Sequence, residues 1–136
     1  MYSIKKINEV SITSSIYALK INNRLPFEEF FDEYKKNANL SGQLAKIQSI
    51  LTYLGKDEDE KIPPNKFKAL QRNRKDGYID YEIKTKDLRV YLFRDSRFGK
   101  IIVLGGMKKN QKKDLQKLRN HKHNYFNQQN ITVLSD

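Results

Sequence analysis

Apolar and polar positions alternate most clearly through residues 78–109, YIDYEIKTKDLRVYLFRDSRFGKIIVLGGMKK. Three runs stand out. In residues 78–85, Ile79, Tyr81 and Ile83 share one face. In residues 88–94, Leu88, Val90 and Leu92 fall on one face and Arg89, Tyr91 and Phe93 on the other. Residues 100–104 form a continuous β-branched and aliphatic run, as expected of a strand buried on both sides. The connections Lys86-Asp87 and 95–99 are short and polar. The pattern therefore predicts an antiparallel three-stranded meander.

Before the meander, residues 16–21 (IYALKI) alternate and predict a strand. A helix then starts at Pro26, where a missing N–H costs nothing. Glu28 and Glu29 lie in its first turn and Lys35 and Lys36 in its last, matching the helix dipole. Phe27, Phe30, Phe31 and Tyr34 form one stripe at helical spacing, which reads as core rather than as a base-stacking platform. A second helix carries Leu44, Ile47, Leu51 and Leu54 on one face, with Gly55 as the residue just past its end. This αα-hairpin needs a sheet to cover. KFKAL (66–70) reads as a short turn that tucks Phe67 and Leu70 under the sheet. Gly105-Gly106 reads as the break after the last strand, followed by a helix over residues 108–128 with Leu115, Leu118, Tyr125 and Phe126 as its contacts. The expectation is one α+β domain over residues 1–136, with 1–15 and 127–136 as peripheral extensions.

Charge changes the picture. The chain of 136 residues has a net charge of +11 and no cysteine. Residues 1–60 hold 8 Lys and Arg against 9 Asp and Glu; residues 61–136 hold 19 against 7. The whole excess lies in the half with the meander, which points to a polyanion such as nucleic acid, with a solvated basic surface, or one matched to an acidic protein partner, as the plainer reading. Without cysteine there is neither a disulfide framework nor a Cys-based metal site, and two histidines are too few for a His-only one. No apolar run has membrane-span length and the N-terminus lacks a signal-peptide pattern, so a soluble cytoplasmic protein is expected.

One place breaks a local rule. Lys108, Lys109, Lys112 and Lys113 cluster at the start of the last helix, where the dipole disfavours cations. They mark either a phosphate site, built from lysines and backbone N–H groups, or a frayed, solvated helix end.

IYALKI (16–21), PFEEFFDEY (26–34), KFKAL (66–70), YEIKTKDLRVYLF (81–93) and GKIIVLGGMKKNQKK (99–113), with a late helical Tyr125, occur in an order that resembles the phage-derived, HigB-type branch of the RelE/ParE toxin superfamily. The likeness spans about residues 16–126. It implies a RelE-like fold: an N-terminal strand and αα-hairpin on a small antiparallel sheet, with a C-terminal helix. It also implies a type II toxin, a ribosome-dependent endoribonuclease that cuts mRNA in the A site without a metal or other cofactor. A cognate antitoxin would neutralise it as a hetero-oligomer. Where the family has Arg in its Tyr-Glu-Leu-Arg strand this chain has Lys84, and where it has Phe after Gly this chain has Met107.

Metal-free RNA cleavage needs cations for the transition-state charge and groups to move protons. Arg89 and Lys84 would hold the phosphate, joined by Lys108 or Lys109. Tyr125 would move protons, or else His121 or His123. Lys86 and Arg94 would bind flanking RNA or ribosomal RNA. Lys112 and Lys113 would add to the RNA surface, and Arg72, Arg74 and Lys75 would form a nonspecific electrostatic patch. Each has a plainer reading: Arg89 as a solvated outward residue, Tyr125 as the edge of the core, the histidines as residues that suit a helix end. Two rival functions stay open, a ParE-type gyrase inhibitor and a non-catalytic nucleic-acid-binding regulatory module.

Overall fold

The structure is a computed structural model, and it describes residues 1–7, 16–70 and 78–134. Among these residues seven strands form one mixed sheet. In chain order the elements are β1 (Tyr2–Lys6), β2 (Ile16–Ile21), α1 (Pro26–Tyr34), α2 (Ala38–Gly55), β3 (Phe67–Ala69), β4 (Asp80–Lys84), β5 (Leu88–Asp95), β6 (Gly99–Met107), α3 (Gln111–Asn127) and β7 (Thr132–Leu134). Across the sheet the order is β3-β4-β5-β6-β2-β1-β7. The expected meander is present: β4 pairs antiparallel with β5, and β5 with β6. β2 joins it in parallel along β6. The fold is α+β. Among the described residues no helix is long and apolar enough to cross a membrane.

α1 and α2 cover one face of the sheet, and α3 the other. On the first face Phe27, Phe30, Leu44, Ile47, Leu51 and Leu54 pack on Ile83, Leu88, Val90 and Leu92. On the second, Leu118 and Tyr125 pack on Tyr91, Phe93, Ile101 and Val103. The alternation in β5 thus divides as the sequence predicts. In β6 it is interrupted. Tyr91 faces Leu104 but Leu92 faces Ile102, so Val103 is an extra residue in that strand. The bulge turns Val103 and Leu104 both toward α3.

Several expectations need correction. The described parts of the two extensions, residues 1–7 and 127–134, are not simply peripheral: β1 pairs with β2 along its whole length, Ile4 is fully buried, and β7 extends the sheet beside β1. Ile4, Ile7, Val10 and Ile12 fit a short strand or an ordered arm by sequence; Ile4 lies in β1, and Val10 and Ile12 lie outside the described residues. KFKAL is not a turn but contains the edge strand β3, paired with β4. Lys35 caps α1 and Lys36 lies beyond it. Gly55 is the last helical residue of α2 and is buried; the left-handed residue that ends the turn is Asp57, with φ 57°. Gly105 and Gly106 do not break β6. They sit inside it because helices press on both faces there. A Cβ on Gly105 would lie 2.7 Å from the Phe30 ring of α1, and one on Gly106 would collide with the Asp114 carboxylate of α3. The last helix begins at Gln111, after a single 3-10 turn at Lys108–Asn110.

Candidate nucleic-acid interface

The antiparallel register brings several of the lysines to one end of the meander. Lys84 is the last residue of β4 and faces Arg89 in β5; Arg89 in turn faces Gly106 in β6. Lys86 is exposed in the turn between β4 and β5. Lys108 follows β6 directly, and its N–H donates to the Asp87 carbonyl at 2.7 Å. Lys108 and Lys109 are exposed, as are Lys112 and Lys113 in the first turn of α3. Asp87, Met107, Lys108, Lys109 and Gln111 line a cleft of about 380 Å3 at this end.

The β4–β5 turn is clamped from α2. Gln43 Nε2 donates to Asp87 Oδ2 at 2.8 Å, and Gln43 Oε1 accepts from the Asp87 N–H at 2.8 Å and from the Thr85 hydroxyl. Leu88 and Thr85 close the turn by a backbone bond of 3.0 Å. One amide side chain thus satisfies three groups of a loop that would otherwise be free to move, so Asp87 and Lys86 are presented on a fixed frame.

Arg89 is not the solvated outward residue of the plainer reading, nor is its guanidinium laid open. It is 6% exposed. Its Nη1 donates to the carbonyls of Thr85 at 2.6 Å and Leu88 at 2.8 Å, and its Nε lies 4.0 Å from Glu82 Oε1. Glu82, 2% exposed, also accepts from Gln111 of α3 and stands 4.0 Å from Lys68. An anion therefore sits among the cations. Its position was legible: Glu82 alternates with Ile83, on the face that Arg89 shares. Beside it the Tyr91 hydroxyl is buried with no hydrogen-bond partner among the described residues, and burial, then Glu82 and Asp114, push its phenol well above the usual range.

The remaining candidates lie elsewhere. Tyr125 is fully buried, its hydroxyl donates to Asp95 Oδ2 at 2.8 Å, and burial followed by that carboxylate pushes its phenol far up. Asp95 and Arg89 are six residues apart on β5, about 20 Å. Tyr125 is a core residue and does not meet the cationic end. His121 is half-buried, its Nδ1 3.0 Å from the Tyr2 hydroxyl. Burial, then Lys117, hold its pKa down. His123 is exposed, 3.1 Å from Asn127. Arg94 is exposed at the far end of β5, opposite Lys100. Arg72, Arg74 and Lys75 lie outside the described residues. Among the described residues no three of His, Asp and Glu are grouped to hold a metal ion.

Under α3 the buried positions are Asp114, Leu118, Lys122 and Tyr125. Spaced four, four and three apart, they make one stripe in which two of four residues are charged. Lys122 is balanced by Asp80 at 2.8 Å and donates to the Tyr78 carbonyl at 2.8 Å. Burial pushes the Asp95 carboxyl up, but hydrogen bonds from Arg97 and Tyr125 outweigh it and hold it below the ordinary aspartate range. Asp114 has no such hydrogen bonds among the described residues, and burial raises its pKa against the opposing pull of Lys117 and Lys113.

Comparison with family models, curated proteins and solved structures finds no match to this chain.

Proposed function

We propose that the protein is a cytoplasmic type II toxin with a RelE-like fold, acting as a ribosome-dependent mRNA endoribonuclease held in check by a cognate antitoxin. The element order supports the fold: a strand, two helices, a three-stranded meander and a closing helix. The observation that carries the activity is the convergence of Lys108, Lys109 and Asp87 on one cleft, flanked by Lys84 and Lys86.

Such a cleft suits in-line attack of a ribose 2′-OH on the adjacent phosphate. Asp87, held by Gln43, accepts the 2′-OH proton. The Lys108 and Lys109 ammonium groups bind the non-bridging oxygens, and one of them returns a proton to the departing 5′-oxygen. Arg89 adds positive potential from beneath, fixed by Glu82 and two carbonyls. Lys86, Lys112 and Lys113 track the flanking backbone, which positions RNA without reading its sequence. The ribosome orders the message for attack, which this small cleft alone would not do.

A second reading has its own support. Arg89 and Tyr125 are both buried, which leaves a lysine-rich surface fit for passive RNA binding. Primer extension on mRNA from briefly induced cells separates the two. Cuts inside translated frames are expected, absent when translation is blocked and absent for Lys108→Ala/Lys109→Ala. These residues are exposed, so the control leaves the fold intact; Arg89→Ala would not. Salt-dependent RNA binding with no cuts favours the passive module, and growth arrest with no cuts favours a gyrase-type target.

A further inference from the structure

Independently of the nuclease reading, we propose that the cleft between α1 and α3 binds an organic cation with an aliphatic stem: an ammonium or guanidinium group, free or carried by a lysine or arginine side chain. The cleft arises from the strand register. β2 follows β6 in parallel only from Ile16 opposite Lys100 to Ala18 opposite Ile102. Beyond that the strands part, and a cavity of about 560 Å3 opens between the end of β2 and Leu104-Gly105, reached by α1 from one face and α3 from the other. Its volume is that of a small-molecule site.

The chemistry of the walls selects the ligand. Ile21, Pro26, Phe30 and Leu104 supply apolar surface. Asp114 lines the same cavity, is 7% exposed, and has no hydrogen bond or ion pair among the described residues. A desolvated carboxylate without a donor is costly, and the group that removes the cost is a donor carrying positive charge. Glu33 lines the opposite wall. Glu29 is already engaged by Arg24 and does not compete. Lys117 also borders the cavity, yet it does not come within ion-pair distance of Asp114 among the described residues. An aliphatic stem along the apolar wall with its cation at Asp114 uses both halves of the lining.

The test is an amide-resolved NMR titration of the full chain with two probes, agmatine and the blocked tripeptide acetyl-Ala-Arg-Ala-amide. Shifts are expected at Gly105, Asp114 and His121. Asp114→Asn should weaken binding about tenfold or more, as loss of a charged hydrogen-bond partner does. That variant removes a desolvated charge, so its fold should hold; Glu33→Gln, less buried, should weaken binding less. Tighter binding of the tripeptide would identify a side chain presented by a polypeptide, and tighter binding of agmatine a free amine. The proposal is overturned if neither probe shifts these residues at millimolar concentration. It is also overturned if the shifts persist in Asp114→Asn or with citrulline in place of arginine.

Discussion

The two faces of the sheet are built on different principles. Under α1 and α2 the contact is apolar from Phe27 to Leu54 on the helices and from Ile83 to Leu92 on the strands, with the Gln43 clamp on Thr85 and Asp87 as its polar edge. Under α3 the apolar centre of Leu118, Tyr91 and Phe93 is framed by buried Glu82, Arg89, Asp95, Asp114 and Lys122. An apolar face needs only shape and volume to be stable. A charged one must satisfy each ion by geometry, and an ion left unsatisfied is either a weakness or a place for a ligand. The first face therefore accounts for the fold, and the buried charges on which the candidate sites draw lie along the second.

Substitutions can break this contrast. The largest effect is expected on the apolar face: Ile47→Ala should cost about 3 kcal/mol in urea denaturation, through lost burial and the cavity left behind. Nearly as large is Lys122→Ala, which strands Asp80 and should cost about 3 kcal/mol, whereas Lys122→Ala combined with Asp80→Ala should recover much of it in a double-mutant cycle. Tyr125→Phe removes one buried hydrogen bond and should cost about 1 kcal/mol while leaving mRNA cleavage unchanged. A loss of cleavage at unchanged fold would return Tyr125 to the site.

One pair of substitutions should give opposite signs. The Asp95 carboxyl is held below the ordinary range, so its contribution is fully present above the unfolded-state value and is lost as pH falls through the folded one. Asp95→Asn should therefore destabilise at neutral pH and converge with wild type in acid. Asp114 is raised, so the wild type loses stability as pH rises from the ordinary aspartate value through the folded one. Asp114→Asn should lack that loss and be the more stable at neutral pH. Thermal unfolding across pH checks both. Smallest of all, Lys108→Ala/Lys109→Ala should shift stability by less than about 0.5 kcal/mol, since both residues are exposed, while reducing the salt slope of RNA binding by up to about 1.4.

The same contrast explains what could be read from the sequence. The meander, both hairpin helices and the division of β5 between two faces followed from apolar periodicity alone. α3 was found, but its buried face was incompletely described, because Asp114 and Lys122 are charges on the stripe of Leu118 and Tyr125 and charge usually marks the solvent side. β1 and β7 are hard to read because each is short and they pair with each other from opposite ends of the chain. The Val103 bulge and the role of the glycines depend on helices pressing from both sides, which local pattern does not encode. At the candidate site the lysines were legible as a cluster. Asp87 and Gln43 were not, since a polar turn residue and a helical glutamine 44 positions apart become a unit only once α2 docks on the sheet.

The most direct test uses programmed ribosomes with a message in the A site, incubated with wild type, Lys108→Ala/Lys109→Ala and Asp87→Asn, each verified as folded. The proposed nuclease mechanism requires that the wild type cut the message on the ribosome and not in free solution, that the lysine double variant lose that activity, and that Asp87→Asn slow it by about a hundredfold or more, the usual scale for a general base. Wild-type protein that leaves the message intact, or variants that cut it as fast as wild type, would contradict it.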